Sequence, residues 1–529
     1  MEDAGETSRE TMSAPRSLSD YAQAILTARV YDVADETALD PLPRLSGRLG
    51  RQILLKREDL QPVFSFKLRG AYNKIVRLPE DARRRGVICA SAGNHAQGVA
   101  LAAQKLGIKA TIVMPVTTPA IKVEAVRRLG GEAVLHGDAF DEAYAKAREM
   151  EEAEGLTFVH PFDDPDVVAG QGTVGLEILR QHPDPIEAIF VPIGGGGLAA
   201  GVAAFVKFLS PRTKVIGVEP VDAASMAAAL KARQIVTLDQ VDLFADGVAV
   251  RRAGEETFRL CSALLDEIIT ADIDAMCAAI KDIFDDTRAV AEPSGALSLA
   301  GLKIYAERQG ADSGALVAVN SGANLNFDRL RTIADRAEVG EHREALLAVT
   351  LPERPGAYRG FIRTLQGRGI TEFNYRYADA ATPAQIFAGI ALNRGEAEKL
   401  ELIARLRSEG YPVLDLSDNE MAKEHVRYMV GGRAPGLTDE LIFRFEFPER
   451  PGALLRFLES LAPEWNVSLF HYRNHGADYG RILAGIQVAP EARDQLAARL
   501  DALGYPYWDE TDNPAYRLFL AGDYPVAAK

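Results

Sequence analysis

The chain has 529 residues, with 75 acidic and 60 basic side chains and a formal net charge of -15 at pH 7. An acidic chain without a basic patch is a poor match for nucleic acid, so we exclude a nucleic-acid partner. The hydrophobic fraction of 47% and the charged fraction of 26% are ordinary for globular proteins. No apolar run is long enough to cross a membrane, and the length predicts roughly three domains.

Two features bear on the cellular setting. Residues 1–20 contain several acidic side chains and lack the apolar segment of a secretory signal, so we expect a flexible tail on a cytoplasmic protein. The three cysteines, Cys89, Cys261 and Cys277, have no metal-binding or redox spacing. Buried free thiols in a reducing compartment are therefore expected.

From residue 21 onward, short apolar runs alternate with segments of helical period. The predicted strands are 52–56, 87–90, 110–114, 133–135, 157–159, 188–192, 215–219 and 315–320, and the predicted helices are 95–106, 121–129, 141–152, 174–180, 198–208 and 296–307. This alternation predicts an α/β fold with mostly parallel sheets covered by helices. Ligands of such folds bind at the carboxyl ends of the strands.

Three of the predicted strands are followed by loops of glycine or polar residues, at 91–95, 194–197 and 320–324. The carboxyl ends of parallel strands share one edge of a sheet. We therefore expect the three loops to converge on one pocket.

Four consecutive glycines precede a predicted helix: Gly194, Gly195, Gly196 and Gly197. Each glycine loses much backbone entropy on folding, which favours a functional explanation over packing. Because a helix N-terminus with free N–H groups binds anions, a phosphate cradle is the main interpretation. A tight turn is the alternative, and the spacing Gly-x-Gly-x-x-Ala, with Glu219 after the next strand, also fits a dinucleotide fingerprint weakly.

Lys67 lies between the predicted strand 52–56 and an apolar-periodic segment at 66–76. A lysine amine becomes reactive toward carbonyl groups when desolvation or a nearby cation lowers its pKa. We expect Phe66 and Leu68 to desolvate the amine and Arg69 to supply the cation. An ordinary solvated surface lysine is the alternative.

The loop at 91–95 adds hydrogen-bonding groups beside this lysine. Ser91 and Asn94 offer side-chain hydrogen bonds, while the small Ala92 and Gly93 let the backbone approach a ligand. Either Ser91 or Asn94 is also expected to cap the following helix. His95 is a base or, as is commoner in the first turn of a helix, a structural residue.

Ser321 follows the predicted strand 315–320, where its hydroxyl either faces a ring nitrogen or stabilises a turn. A lysine suited to a Schiff base, a phosphate cradle and a polar loop between them together indicate pyridoxal phosphate.

The C-terminal third contains an internal repeat. The sequence LPERPGA at 351–357 returns as FPERPGA at 447–453. A repeat of about a hundred residues indicates duplicated small domains rather than a solenoid. Each copy predicts the element order of a ferredoxin-like α+β domain. We expect a linker at 337–344 and domains at 345–418 and 440–518.

Five motifs resemble one enzyme family: SFKLRGA at 65–71, SAGNHAQG at 91–98, GGGGL at 194–198, EPSGA at 292–296 and SGAN at 321–324. In this order they resemble the biosynthetic threonine ammonia-lyases, or threonine dehydratases, of the tryptophan-synthase-β-like class. The resemblance implies a fold-type II pyridoxal-phosphate domain, made of two α/β subdomains, at 21–336. The duplicated tail resembles the paired ACT-like regulatory domains of the isoleucine-inhibited form, which serine dehydratases, serine racemase and short catabolic threonine enzymes lack.

The resemblance implies how the cofactor is held. Lys67, which follows Phe66, carries pyridoxal phosphate as a Schiff base, and the stretch from Gly194 to Leu198 holds its phosphate. Asn94 bonds the 3-hydroxyl group of the ring. Ser321 faces the pyridine nitrogen, where a hydroxyl makes the ring a weaker electron sink than a carboxylate would and favours loss of the β-hydroxyl group.

The resemblance also implies the reaction. The loop 91–95 holds the carboxylate of L-threonine, the freed amine of Lys67 removes the Cα proton, and the cofactor phosphate is the candidate acid for the leaving hydroxide. The products are 2-oxobutanoate and ammonia, in the committed step of isoleucine biosynthesis.

We expect no metal site. Some relatives bind a cation through a glutamate and an acidic residue six positions later, but here Glu219 is followed at that distance by Ser225. His471 and His475 have a spacing seen in metal sites, yet no third ligand is evident.

Regulation is expected through the duplicated tail, with isoleucine as effector and valine as a second candidate. In ACT-like domains the effector commonly lies near the first strand-to-helix turn, which here corresponds to Gly356 and Gly452. Asn374 and Asn466 are further candidates. Such domains pair between subunits, so we expect a homo-oligomer, with a homotetramer as the specific prediction.

Three alternatives stay open at this point. A serine dehydratase, a racemase or a hydroxyaspartate-directed relative would share the scaffold and differ in substrate. An NAD-dependent oxidoreductase would use the glycine loop for a dinucleotide. A catalytically silent amino-acid sensor would bind the cofactor without turnover.

Overall fold

The computed structural model describes residues 15–309, 314–352, 361, 364–366, 368, 370–374, 383–428, 439–448, 453–462, 465–473 and 479–521. Among the helices in these ranges, none combines the length and the apolar character needed to span a membrane. The three cysteines are buried free thiols, as predicted.

Two parallel sheets form the framework of the N-terminal region. Its strands are β1 (Leu39–Pro41), β2 (Ile53–Arg57), β3 (Val87–Ala90), β4 (Ala110–Met114), β5 (Glu132–Leu135), β6 (Thr157–Phe158), β7 (Ile186–Pro192), β8 (Lys214–Pro220), β9 (Glu267–Ala271) and β10 (Ala315–Asn320). The larger sheet has the order β1-β2-β10-β7-β8-β9 and is parallel apart from β1. The smaller sheet, β5-β4-β3-β6, is parallel throughout. The predicted α/β class is confirmed.

Helices cover both sheets. They are α1 (Leu18–Leu26), α2 (Pro43–Leu49), α3 (Lys67–Ile75), α4 (Glu80–Arg85), α5 (Asn94–Leu106), α6 (Ala120–Arg128), α7 (Phe140–Glu154), α8 (Pro165–Gln181), α9 (Gly197–Leu209), α10 (Ser225–Ala232), α11 (Glu255–Leu264), α12 (Ile273–Thr287), α13 (Pro293–Gln309) and α14 (Arg329–Gly340). Strand β10 shows why the sequence of a strand in the larger sheet is a continuous apolar run. Leu316 and Ala318 enter the core on one face, while Val317 and Val319 enter the core on the other.

Two antiparallel sheets follow. The first has the strands β11 (Glu344–Leu351), β12 (Ile370–Asn374), β13 (Ala384–Ala391) and β14 (Val413–Asp415), with α15 (Gly395–Ser408) and α16 (Glu420–Glu424). The second has β15 (Glu440–Pro448), β16 (Asn466–Arg473), β17 (Tyr479–Gln487) and β18 (Tyr507–Asp509), with α17 (Ala453–Ser460), α18 (Arg493–Leu503) and α19 (Pro514–Phe519). Their orders, β12-β13-β11-β14 and β16-β17-β15-β18, correspond strand for strand. The predicted duplication of an α+β domain is therefore present in the fold.

The second antiparallel sheet has two different faces. Phe443 and Phe445 of β15 point into a core shared with α17 and α18. Ile442 of β15 and Leu483 of β17 lie on the opposite face, in a core that also contains Leu346 of the first sheet. The two antiparallel sheets therefore share a core, to which α16 and α19 also contribute.

The stretch 337–344, expected to be a linker without regular structure, has regular structure at both ends. Helix α14 extends to Gly340 and β11 begins at Glu344, so only 341–343 connect them. The helical period was hidden because the buried side of α14 includes a charged residue, Arg336, which is 5% exposed, beside the small Ala337.

A buried group of charges anchors the start of α3. The Nε of Arg69 lies 2.7 Å from an oxygen of Glu58, and its Nη1 lies 2.5 Å from an oxygen of Glu177. Lys56 contacts the second oxygen of Glu177 at 2.6 Å, and all four side chains are fully buried. Because desolvated charges are stable only when paired, this group fixes the first turn of α3 to β2 and α8.

We predict that Arg69→Met destabilises the fold by about 3–5 kcal/mol, because it leaves two buried carboxylates with reduced compensation. Thermal unfolding of the purified variant measures the effect. The matched control is Arg84→Met, since Arg84 makes its ion pairs with a side chain that is 67% exposed. Equal melting temperatures for the two variants would contradict the prediction.

Candidate active site

A cavity of about 1790 Å³ lies where the loops after β3, β7 and β10 converge. It is larger than the 300–1,000 Å³ typical of small-molecule sites. All the residues predicted to hold a cofactor or substrate line it: Phe66, Lys67, Ser91, Ala92, Gly93, Asn94, His95, Gly194, Gly195, Gly196, Gly197, Leu198 and Ser321. The expected convergence of the three loops is therefore confirmed as geometry.

Lys67 is the first residue of α3 and reaches into this cavity. Its Nζ donates a hydrogen bond to the carbonyl oxygen of Pro161 at 3.1 Å and lies 5.2 Å from the ring centre of Phe66. Burial lowers the pKa of Lys67 to about 8, against the opposing attraction of Glu292. At pH 7.5 this shift raises the free-amine fraction from about 0.1% to about a quarter.

The expected role of Arg69 is wrong. Its guanidinium is bound in the interior by Glu58 and Glu177. Burial accounts for the lowered pKa of Lys67, and Arg69 is not among its causes. Arg69 follows Lys67 by two residues in α3, and positions two residues apart in a helix are separated by about 200° around the axis.

The glycine loop has a shape that side chains would prevent. A Cβ at Gly195 would overlap the ring of Phe162, and one at Gly197 would lie 3.0 Å from the backbone of Phe162. Gly196 has φ +97°, a left-handed conformation that favours glycine, and it is the residue before α9. The first-turn N–H groups of α9 lack intrahelical acceptors and lie at the edge of the cavity, which suits a phosphate group.

Asn94 and a buried carboxylate, Glu292, join two of the loops. The Nδ2 of Asn94 donates to Glu292 at 2.7 Å, and its Oδ1 accepts from Asn324 at 2.6 Å. Ser294 donates its hydroxyl to the same oxygen of Glu292 at 2.7 Å. Burial raises the pKa of Glu292, with a further contribution from Asp246.

The prediction that Ser91 or Asn94 caps the helix after β3 is wrong. Gly93 is the residue before α5, and no side chain caps this helix. The hydroxyl of Ser91 instead accepts a hydrogen bond from the backbone N–H of Gly93 at 3.2 Å. A Cβ at Gly93 would meet no atom within 4 Å, so the loop backbone is open to the cavity.

The hydroxyl of Ser321 lies in the cavity wall and is almost fully buried. It donates to the carbonyl oxygen of Ser294 at 3.1 Å. The carbonyl oxygen of Ser321 accepts from the N–H of Phe66 at 3.3 Å, which ties this loop to the start of α3.

Two histidines next to the cavity are neutral. The Nε2 of His95 lies 2.8 Å from the carbonyl oxygen of Val159, so Nε2 carries the proton, and burial lowers the pKa of His95 to about 3. The Nδ1 of His160 accepts from the N–H groups of Phe162 and Asp163, so its proton is also on Nε2. Burial lowers the pKa of His160 to about 4. The contact with Val159 supports the structural interpretation of His95.

Sequence reasoning missed the residues at 160–162 and gave Glu292 no role. The signal for Glu292 was available, since it belongs to the EPSGA motif. Pro161 contributes only its backbone carbonyl group, and every residue type has one, so this contact cannot be predicted from the sequence.

The remaining predicted residues lie elsewhere or outside the described residues. The carboxylate of Glu219 accepts the N–H groups of Met226 and Ala227 at 2.8 Å each, and burial raises its pKa to about 7. Within the described ranges, no group of three His, Cys, Asp or Glu residues is placed to hold a metal ion. His475 lies outside those ranges.

The effector candidates are only partly described. Asn374 is the last residue of β12 and Asn466 the first residue of β16. Gly356 and Gly452 lie outside the described residues.

The cavity at Lys67 extends to the second antiparallel sheet, where Arg444, Glu446, Tyr479, Arg481 and Trp508 line it.

Comparison with protein families gives two matches. Residues 30–322 match the pyridoxal-phosphate dependent enzymes. Residues 335–426 and 431–520 each match the C-terminal regulatory domain of threonine dehydratase. The first match favours a pyridoxal-phosphate site over the alternative, dinucleotide interpretation of the glycine loop.

Relatives of known function are similar along nearly the whole chain. The biosynthetic L-threonine dehydratase IlvA of Burkholderia multivorans is 60% identical over 505 residues, which cover 95% of this chain and 99% of that protein. The Escherichia coli protein of the same name is 56% identical, with coverages of 95% and 98%. The structure of the processed form of threonine deaminase isoform 2 from Solanum lycopersicum is 52% identical, with a TM-score of 0.60, and covers 60% of this chain and 93% of that one. The chain belongs to the biosynthetic threonine dehydratases, pyridoxal-phosphate-dependent enzymes with a duplicated C-terminal regulatory domain.

Proposed function

We propose that this protein converts L-threonine to 2-oxobutanoate and ammonia in the cavity around Lys67, as a step of isoleucine biosynthesis. The observation that carries the proposal is the amine of Lys67, whose pKa burial lowers to about 8, in the same cavity as the glycine cradle. The near full-length similarity to threonine dehydratases supports threonine as the substrate.

The residues present fit pyridoxal phosphate. The cradle from Gly194 to Leu198 would hold its phosphate, Asn94 its 3-hydroxyl group and Lys67 its aldehyde carbon. Ser321 would face the ring nitrogen, and for this its hydroxyl must turn away from the Ser294 carbonyl oxygen that it contacts in the structure. When bound, the cofactor supplies an electron sink for the negative charge that develops at the substrate Cα.

The chain's own groups bind the substrate and move its proton. The loop 91–95, open at Gly93 and placed at the N-terminus of α5, would bind the carboxylate through backbone N–H groups and Ser91. The Nζ of Lys67, once free and neutral, would take the Cα proton. His160 also lines the cavity, and its Nε2–H is a hydrogen-bond donor. Because its Nδ1 already accepts backbone N–H groups and its pKa is about 4, His160 does not act as a base near pH 7.

The C-terminal region would regulate this reaction. We assign the catalytic domain to 21–336 and the regulatory domains to 345–418 and 440–518, with isoleucine as the inhibitor and valine as a second effector. Asn374 and Asn466 remain effector candidates at strand ends, and Gly356 and Gly452 remain candidates on sequence grounds alone. We further propose a homotetramer in the cytoplasm.

The first test is 2-oxobutanoate formation from L-threonine by the protein with pyridoxal phosphate, with and without isoleucine. We expect activity that isoleucine suppresses, with a coupling of about 1–3 kcal/mol between the sites. Activity on L-serine alone would replace threonine by a serine-directed reaction. Cofactor absorbance without turnover of either amino acid would leave an amino-acid sensor.

The lowered pKa of Lys67 predicts how the apoenzyme takes up pyridoxal phosphate. Only the neutral amine attacks the aldehyde, so the rate of uptake should rise with pH and level off above a midpoint of about 8. Stopped-flow absorbance after mixing apoenzyme and cofactor measures this rate. Lys67→Ala is the control and should show no covalent uptake; a midpoint near 10 would contradict the burial argument.

We predict that Gly195→Ala weakens pyridoxal-phosphate binding by at least about tenfold, which corresponds to about 1.4 kcal/mol. The added Cβ would overlap Phe162 and push the cradle open. Fluorescence titration of the apoenzyme with the cofactor measures the Kd. Gly47→Ala is the matched control, because a Cβ there meets no atom within 4 Å; equal Kd values for both variants would refute a phosphate role for the loop.

A further inference from the structure

One arginine of the second regulatory domain reaches the catalytic domain. The Nη2 of Arg481, on β17, lies 3.2 Å from an oxygen of Asp242, and its Nη1 lies 2.9 Å from an oxygen of Glu424. The side chain of Arg481 is 15% exposed. A guanidinium group that binds two carboxylates through separate nitrogens is held in a single orientation.

Asp242 begins a stretch, residues 242–248, that we call the connecting segment. Its carboxylate accepts the N–H of Phe244 at 2.6 Å, and Phe244 is buried in the core of the larger sheet. Further along, Asp246 contacts the Nζ of Lys122, on α6, at 2.6 Å. The connecting segment is therefore held at several points between Arg481 and the smaller sheet.

The end of the connecting segment packs against the active site without spare room. A Cβ at Gly247 would lie 2.5 Å from the hydroxyl oxygen of Ser294, which bonds Glu292. A Cβ at Gly194 would lie 2.9 Å from the Cα of Val248. A shift of the segment must therefore move the cradle or the carboxylate that holds Asn94.

The same arginine is tied to the junction of the domains. Glu424, on α16, also binds Arg336 of α14 at 3.2 Å, and Arg336 binds Asp274 of α12 at 2.6 Å. Lys423 contacts Asp274 as well, at 2.6 Å. A change in the regulatory region that moves α16 or β17 would therefore move Arg481 and alter its contact with Asp242.

We propose that Arg481 is a positioning residue for the active site: by holding Asp242 it sets the connecting segment, and through it Gly194 and Glu292. The regulatory domains act on catalysis through this contact. The second statement rests on the proposed inhibition by isoleucine, whereas the first does not.

Arg444 provides a matched control. It lies on β15, beside β17, on the same face of the sheet as Arg481, and lines the same cavity, with a side chain that is 17% exposed. Arg444 contacts Glu510 at 3.0 Å and the ring of Trp508 at 4.6 Å, and both partners belong to the second regulatory domain. Removing its charge changes this face without touching the connecting segment.

The experiment compares Arg481→Met, Asp242→Asn and Arg444→Met in the full-length holoenzyme. Kinetics give kcat and KM for L-threonine, fluorescence titration gives the Kd for pyridoxal phosphate, and calorimetry gives isoleucine binding. We expect Arg481→Met and Asp242→Asn to weaken cofactor binding at least threefold. We also expect them to raise the isoleucine concentration for half-inhibition at least fivefold, while isoleucine binding stays within twofold. Arg444→Met should match the wild type in kcat, KM, cofactor binding, half-inhibition by isoleucine and isoleucine binding.

Asp242→Asn keeps the shape of the side chain, so the test does not depend on Arg481→Met folding well. The double variant should be no worse than the worse single variant, because both changes remove one contact. Additive effects, or wild-type cofactor binding and inhibition in both single variants, would overturn the proposal. If the wild type ignores isoleucine, the proposed regulation fails, and cofactor binding alone decides whether Arg481 positions the site.

Discussion

The site depends on keeping one amine, the Nζ of Lys67, away from water and, among the described residues, outside any ion pair. Burial lowers its pKa to about 8, and its hydrogen bond goes to an uncharged carbonyl group of Pro161. The position is maintained because Arg69, two residues later, is bound by Glu58 and Glu177 in the interior. The buried charges thus stabilise the helix that carries the reactive lysine, whose own amine is compensated only in part, by the attraction of Glu292.

The two parallel sheets meet through a hydrogen-bonded network around a second buried group, the carboxylate of Glu292. It accepts from Asn94, which follows the smaller sheet, and from Ser294, at the start of α13. Asn324, which follows the larger sheet, donates to Asn94. Any motion between the sheets must rearrange this network, so the geometry of the cofactor site and the relative position of the two subdomains are coupled.

Ion pairs connect the catalytic and regulatory parts. Arg336, Lys423 and Arg481 bind carboxylates from both parts at distances of 2.6–3.2 Å. Such desolvated pairs tolerate little displacement, because separating them leaves a buried charge without compensation. An interface of this kind has a few discrete arrangements, which suits a regulatory domain that must change the site it contacts.

Sequence alone determined the α/β class, the duplicated tail and the three loops that converge on the cavity. The period of apolar residues indicates which side chains are buried, clustered glycines indicate close approach of the backbone, and a repeated sequence indicates a duplicated domain. The sequence could not assign the hydrogen-bond partners of Lys67 and Asn94. Pro161 lies 94 residues from Lys67 along the chain, and Glu292 lies 198 residues from Asn94. Sequence reasoning assigned Arg69 the wrong partner, and it missed the end of α14 because the buried side of this helix includes the charged Arg336. Only the tertiary structure decided these points, because a charge inside a protein is paired by whatever the fold brings near it, and that proximity has no local signature.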